Sequence, residues 1–458
     1  MSFEFEKNGN IIDLESYLDG NPDPASPCDD EFEPKWWRLT PYGFIETLKW
    51  IFKMLVLPGA IAAIIIITTL LGTGRFESLT IGIVYTVLTY IGTVLVYIYV
   101  REQTLTNYHS IQDEEILASE TLNELEEKRL KIGFVGDIMM MRKYKLIFSD
   151  EVKAFFNDVD IVLGNLEGIV TDSKCKVTKQ AHPITKLKSY QKIILKNLQG
   201  LLGDRTTGLL CLSNNHSIDF GNKEFHESLN FIHSQEKIEV FGRNDISNVF
   251  VKGKEINIAS ASEWSNQKTW NCISKFDENN LDSYFSPKKF NILYPHWNYE
   301  NEKYVRRSLQ KRAKGLLKDD PIKKLDLIFG HHSHVRQPIV KILDKTIGPS
   351  GSNTKFWKVI AYSGGNFTSG VNFLRKKKHI HGKIMKCDIG PLKNNNTQLA
   401  VGTVEWKNTF NETVENGDDP TKLVKFGEGL TGIARIYLLI IGGITLALII
   451  ILRVLGYL

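Results

Sequence analysis

Carboxylates, amides and imidazoles recur in this chain at the ends of short apolar runs. In order they are Asp137 in VGDIM, Asn165 and Glu167 in GNLEG, Asn215, His216 and Asp219 in SNNHSID, His296 in YPHWNYE, and His331, His332 and His334 in GHHSHV. Oxygen and imidazole ligands of this kind suit a hard or borderline divalent ion such as Mn²⁺, Fe²⁺ or Zn²⁺. Two such ions held close together would clamp a phosphoryl group and activate water for hydrolysis. In that scheme Glu167 or Asn165 supplies oxygen to the metal, Asn215 also steadies a phosphoryl or carboxylate oxygen, and His216 protonates the leaving group as general acid. Arg243, in FGRND after another apolar run, is a candidate oxyanion partner because a guanidinium meets carboxylate or phosphate in bidentate fashion.

The elements that must position these residues begin at Lys131. The runs IGFVG, DIVLGN and GLLCLSNN alternate with helical stretches near 149–157, 187–202 and 221–235, which is the pattern of an α/β domain. FNILYPHW, LDLIFGHH and VIAYSGGN end in the same way, in polar residues or glycine. Ligands gather at the carboxyl ends of strands in such sheets, so these separate strand ends predict one common rim.

Together VGDIM, GNLEG, SNNHSIDFG, PHWNYE, GHHSHVRQP and YSGGNF resemble the successive motifs of the CapA-type capsule (poly-γ-glutamate) synthesis family, over residues 131–370 and more weakly to 410. The series is similar, more distantly, to the calcineurin-like phosphoesterases, whose GD, GNH and GHxH elements supply a binuclear metal centre. The resemblance implies a metallophosphoesterase-like layered α/β sandwich. It also implies that Asp137 is the metal-binding aspartate of the first motif, Asn215 and His216 the asparagine and catalytic histidine of GNH, and His296, His332 and His334 the remaining imidazole ligands. One departure stands out. IGFVGD lacks the aspartate and histidine that precede the first motif in the calcineurin-like pattern, and the segment Asn165 to Glu167 occupies the bridging place. One divalent ion (Mn, Fe or Zn) is therefore expected, with a second left open.

Several features carry a plainer reading. His182, His226 and His233 stand alone, as surface or packed histidines do. His379 and His381 lie in the basic run RKKKHIH, which reads as a solvated or phosphate-attracting face. His331 is set aside because His332 and His334 already satisfy the HxH spacing. Gly364 and Gly365 read as a turn after a strand, and Trp264, Trp270 and Trp297 as packing. The five cysteines, Cys28, Cys175, Cys211, Cys272 and Cys387, show no CxxC pair, which argues against a zinc ribbon or a dense disulfide framework.

Two runs, residues 51–72 and 79–100, are apolar over the roughly 20 residues that a helix needs to cross the hydrocarbon. A third, 436–452, is framed by Arg435 and Arg453. The expected organisation is a polar, disordered tail (1–50), a transmembrane hairpin (51–100), a linker or stalk helix (101–130), the large domain (131–410), a linker (411–431) and a C-terminal transmembrane helix (432–455). Three spans make a multi-pass membrane protein. Basic flanks place the large domain in the cytosol, whereas the family resemblance favours an extracytoplasmic one, and both readings stand. With 57 basic against 52 acidic side chains the formal charge is only +5, too mild to signal nucleic-acid binding. The expected partners are the membrane, an anionic polymer or phosphoester substrate, and other subunits of a polymer synthase or export complex. The expected activity is that of a metal-dependent hydrolase or transferase in capsule polymer synthesis or export. The rival reading is a non-catalytic polymer-binding or scaffold component.

Overall fold

The computed structural model describes residues 4–7, 10–13 and 114–427, the last with interruptions at 140–143, 172–188, 191, 244–248, 253–254, 266–271, 278–283, 287, 301, 303–304, 320–324, 348–352, 370–379 and 417–418. The chain divides into two units, Met1–Gln112 with Tyr304–Arg312, and Asp113–Lys303 with Ala313–Leu458. In the first, Glu4–Lys7 and Asn10–Asp13 pair as an antiparallel hairpin, so part of the tail expected to be disordered is strand. The three apolar runs expected to span a membrane lie outside the described residues. Among the described residues no helix is long and apolar enough to cross one.

In the second unit the motif-bearing runs form strands. They are β1 (Leu130–Ile138), β2 (Lys145–Phe148), β3 (Ile161–Leu166), β4 (Thr207–Cys211) and β5 (Ile238–Phe241). Next come β6 (Val249–Lys252), β7 (Ile256–Ala259), β8 (Phe290–Leu293), β9 (Leu327–Phe329), β10 (Ile339–Ile347) and β11 (Asn353–Ala361). The series closes with β12 (Asn366–Thr368), β13 (His381–Leu392), β14 (Asn395–Asn416) and β15 (Asp419–Phe426). The helices α1 (Asp150–Phe156), α2 (Ile193–Gln199) and α3 (Asn222–His233) match the three expected helical stretches.

One sheet runs β5-β4-β3-β1-β13-β14-β15-β2, with β12 added to β1 and Ser119–Thr121 to β14. The other runs β6-β7-β8-β9-β11-β10, with Glu114–Glu115 on β10. Each is parallel where the motifs lie: β5, β4, β3 and β1 in the first, β7, β8, β9 and β11 in the second. The fold is α/β, with two large sheets, a small parallel pair of Ile169–Val170 with Ser189–Tyr190, and few helices among the described residues.

Strands buried on both faces need apolar residues on both, which is why these runs read as nearly continuous. On β1, Ile132 and Phe134 join a core between the sheets with Ile258, Ile292, Phe329 and Val359. The Phe134 and Phe329 rings stack there at 5.0 Å. Val135 and Ile138 join the core on the other face, against Phe156 of α1, Leu195 of α2 and Leu229 of α3. Ser149 caps α1 by accepting from the Val152 N–H, with Asp150 and Glu151 in its first turn. α3 buries Phe225, Leu229 and Ile232, spaced as one helical stripe.

Two expected boundaries are corrected. Residues 114–130, read as a stalk helix, are extended and irregular, although Glu, Leu and Ala favour helix. Ile116 is buried, its carbonyl accepts from the Trp406 indole, and the Asn123 side chain pairs with Trp357 and Val401, so tertiary contacts override propensity. Residues 411–416 and 419–426, read as linker, are sheet. β15 pairs with β14 and β2 and buries Val424, so the domain body runs from 114 to 427.

Candidate metal centre

Parallel pairing brings the motif ends together. Asp137 sits opposite Asn165 across β1 and β3, Asn165 opposite Cys211 across β3 and β4, and Asn366 opposite Asp137 across β12 and β1. Beyond the second sheet's strands, backbone bridges join Ser262 to His296 and His296 to His331. Carboxylates thus come from one sheet and imidazoles from the other. Gly136 allows this closeness, because a Cβ there would lie 2.0 Å from the Gly365 carbonyl, the same oxygen that accepts from the Asp137 N–H.

Asp137 is the hub and is fully buried. Its Oδ1 accepts from Asn165 Nδ2 at 2.8 Å, its Oδ2 lies 3.1 Å from His334 Nδ1, and His331 Nδ1 is 3.6 Å from Oδ1. Burial works against the charge, yet the neighbouring His334, His331 and Asn165 hold its carboxyl well below the usual carboxylate range. Glu167 lies 3.5 Å from His334 Nδ1 through one oxygen and 3.7 Å from His216 Nε2 through the other. His332 and His334 adopt φ of 92° and 57°, left-handed values that are uncommon for residues with a Cβ and cluster at functional sites.

Three buried sets have ligand atoms within 4.8 Å of one another: Asp137, Glu167 and His334; Glu167, His296 and His332; and Asp137, His296 and His331. Shared members weld them into one centre of six residues. The chemistry of a line of contacts through it fits a cation. His331 Nε2 lies 3.3 Å from the Tyr294 carbonyl, His331 Nδ1 lies 2.8 Å from His296 Nδ1, and His296 Nε2 lies 3.0 Å from Asn215 Oδ1. Hydrogen bonds at all three contacts would take three protons, and two neutral imidazoles carry two. Burial pushes His331 down to about 4 despite the Asp137 carboxylate, so this ring is neutral at pH 7. The buried carboxylates and imidazoles around it could hold a metal ion.

The residues expected from sequence fall as follows. Asp137, Glu167, His296, His332 and His334 are brought together, and Asn215 reaches His296. Asn165 holds its neighbours, donating to Asp137 and accepting from Asn214 Nδ2 at 3.0 Å. His216 is buried beside Glu167, with Nδ1 2.6 Å from Asp219. Arg243 is buried at the end of β5, its backbone bridged to Ile273. His331, set aside on spacing, is an integral member. Asn214 was also missed: its Oδ1 accepts from the His216 N–H and the Ser217 hydroxyl, tying the turn that presents His216. The first asparagine in SNNHS, beside the expected Asn215, was the available signal. His226 and His233 are exposed, Trp297 is buried, and Trp264 packs on His332 at 5.4 Å. Cys211, Cys272 and Cys387 are buried, while Cys28, Cys175, His182, Trp270 and His379 lie outside the described residues.

The family profile of the bacterial capsule synthesis protein PGA_cap matches residues 131–371, more than half of the chain. The chain belongs to this family. All six residues of the centre lie inside the PGA_cap region, as do His216 and Arg243. The Glu114–Glu115 and Ser119–Thr121 pairings and the β14–β15 hairpin lie outside it and complete both sheets. No curated protein matches the sequence.

Proposed function

We propose that the chain is a membrane-anchored, divalent-metal-dependent hydrolase or transferase acting on an anionic polymer or phosphoester in capsule synthesis. The observation that carries this reading is a buried centre of two carboxylates and four imidazoles, faced by an oriented histidine, His216. Asp137, Glu167 and His334 would hold one ion, and His296 with His331 or His332 a second. Two facing sheets with helices on the outer face of one are in keeping with a metallophosphoesterase-like arrangement. The donor set favours Mn, Fe or Zn. Such an ion supplies Lewis acidity to a phosphoryl or acyl oxygen and makes water a better nucleophile.

The side chains around it do the rest. With Asp219 at Nδ1, the His216 ring presents Nε2 toward the centre, where it can pass a proton to a leaving-group oxygen. Asn215 offers its amide to an oxygen of the substrate, and Arg243 pairs with a second anionic group. The apolar core between the sheets keeps water from reaching the ligands from below. The apolar runs outside the large domain would tether it to the membrane beside other subunits of a polymer synthase or export complex.

Elemental mass spectrometry of the purified protein, beside a His332→Ala, His334→Ala double variant, tests the metal. Near-stoichiometric Mn, Fe or Zn that disappears in the folded variant is expected, and no metal in either protein would sink the reading. Phosphoester and polyglutamate hydrolysis by wild type and His216→Ala then tests the chemistry. A folded, metal-replete but inactive His216→Ala is expected, and indifference to this change would leave a polymer-holding role instead.

A further inference from the structure

The proposed metal reading leaves unassigned how His334 is prepared to act as a ligand. Its Nδ1 faces the carboxylates, 3.1 Å from Asp137 Oδ2 and 3.5 Å from Glu167 Oε2. A carboxylate only accepts, so in this arrangement the ring proton sits on Nδ1. An ion taken up by Asp137, Glu167 and His334 needs the Nδ1 lone pair, and the proton must then reside on Nε2. A carboxylate stands on the Nε2 side as well: Glu300 Oε1 lies 3.9 Å from that nitrogen.

We propose that Glu300 is the outer carboxylate of the His334 ligand: it faces the Nε2–H as an acceptor, favours the tautomer that binds through Nδ1, and thereby sets the affinity of this ion. The inference rests on the metal reading above. Glu300 differs from the ligands in being partly open to solvent, 38% against none for Asp137 and Glu167. Its position is also built. Glu300 follows His296 by four residues, and the segment between is pinned at three points. The Trp297 indole donates to the Tyr362 carbonyl at 3.1 Å, the Asn298 N–H donates to Glu263 Oε2 at 2.6 Å, and the Asn298 carbonyl accepts from the Trp264 indole at 2.7 Å. Asn298 turns the chain with φ of 66°. The same segment therefore delivers one imidazole ligand and the carboxylate that orients another. Outer carboxylates of this kind fix ring orientation and raise the basicity of the ligating nitrogen.

Titration calorimetry with Mn²⁺ alone on the full chain tests this, comparing wild type with Glu300→Ala, Glu300→Asp and His334→Ala. Glu300→Ala is expected to keep the wild-type stoichiometry and weaken Mn²⁺ binding by about 10- to 100-fold. Glu300→Asp should recover part of that loss. Thermal unfolding without metal should be unchanged, because Glu300 lies at the rim. Wild-type affinity in Glu300→Ala would overturn the proposal and leave the metal centre standing. Loss of a whole equivalent in Glu300→Ala, as large as in His334→Ala, would make Glu300 a ligand and overturn the outer role. Absence of Mn²⁺ binding to wild type would remove the metal reading itself, and this proposal with it.

Discussion

His216 and Asp219, three residues apart, face each other with Nδ1 and Oδ2 2.6 Å apart, and both are buried. The carboxylate fixes the proton on Nδ1 and turns Nε2 toward Glu167, 3.7 Å away. If His216 is the general acid, Asp219→Asn should lower kcat by about 10²-fold or more, the scale of a lost general acid. KM and metal content should stay near wild type. Steady-state kinetics with elemental analysis checks the split, and a fall confined to KM would remove Asp219 from this role.

Ion binding should stabilise the fold. At about 100 times its dissociation constant, a ligand that binds only the native state adds about 2.7 kcal/mol. For a domain of this size that raises Tm by several degrees. Scanning calorimetry with Mn²⁺ and then with a chelator should show a reversible shift, absent from the His332→Ala, His334→Ala variant.

Asp326 predicts a pH dependence of stability away from the centre. Burial pushes its carboxyl up to about 7, against the opposing pull of Lys358 and the Asn291 N–H. The folded chain holds a proton that the unfolded chain releases above about pH 4. This contribution is fully present below about pH 4, declines as pH rises toward about 7, and is level above that. Urea unfolding across this window should show a decline, on the order of a few kcal/mol, that Asp326→Asn lacks.

Gly136→Ala tests the close approach beneath Asp137. The added Cβ would lie 2.0 Å from the Gly365 carbonyl oxygen and 2.7 Å from the Gly364 carbonyl carbon, both backbone atoms. Overpacking of this kind costs about 1–3 kcal/mol. Because Asp137 is the next residue, metal affinity should fall as well, read by urea unfolding and calorimetry on one preparation.

Much of the parallel framework was legible because strands buried on both faces spell apolar runs, and each here stops at the polar residue it delivers. Asp137, Glu167, His296, His332 and His334 were visible for that reason. Local sequence could not reveal how residues 114–130 and 411–427 behave. The first carries helix formers, and the second lacks the apolar density of the central runs. The first becomes irregular chain with short strand pieces and the second mostly strand, because distant partners such as Trp406, β14 and β2 offer contacts that no local window contains.

The sequence by itself determined which ligand types this protein owns and the strand ends at which they stand. Tertiary structure decided how they combine. Spacing made His331 redundant beside His332 and His334, whereas pairing across the second sheet sets it 2.8 Å from His296. Asn165 reads as a ligand along the chain, and register opposite Asp137 lets its amide donate to that carboxylate. Glu300 meets His334 only because the pinned segment after His296 returns to the rim. Ligand chemistry is a property of residue type, while ligand distance is a property of sheet register and of turns held by partners far away in the chain.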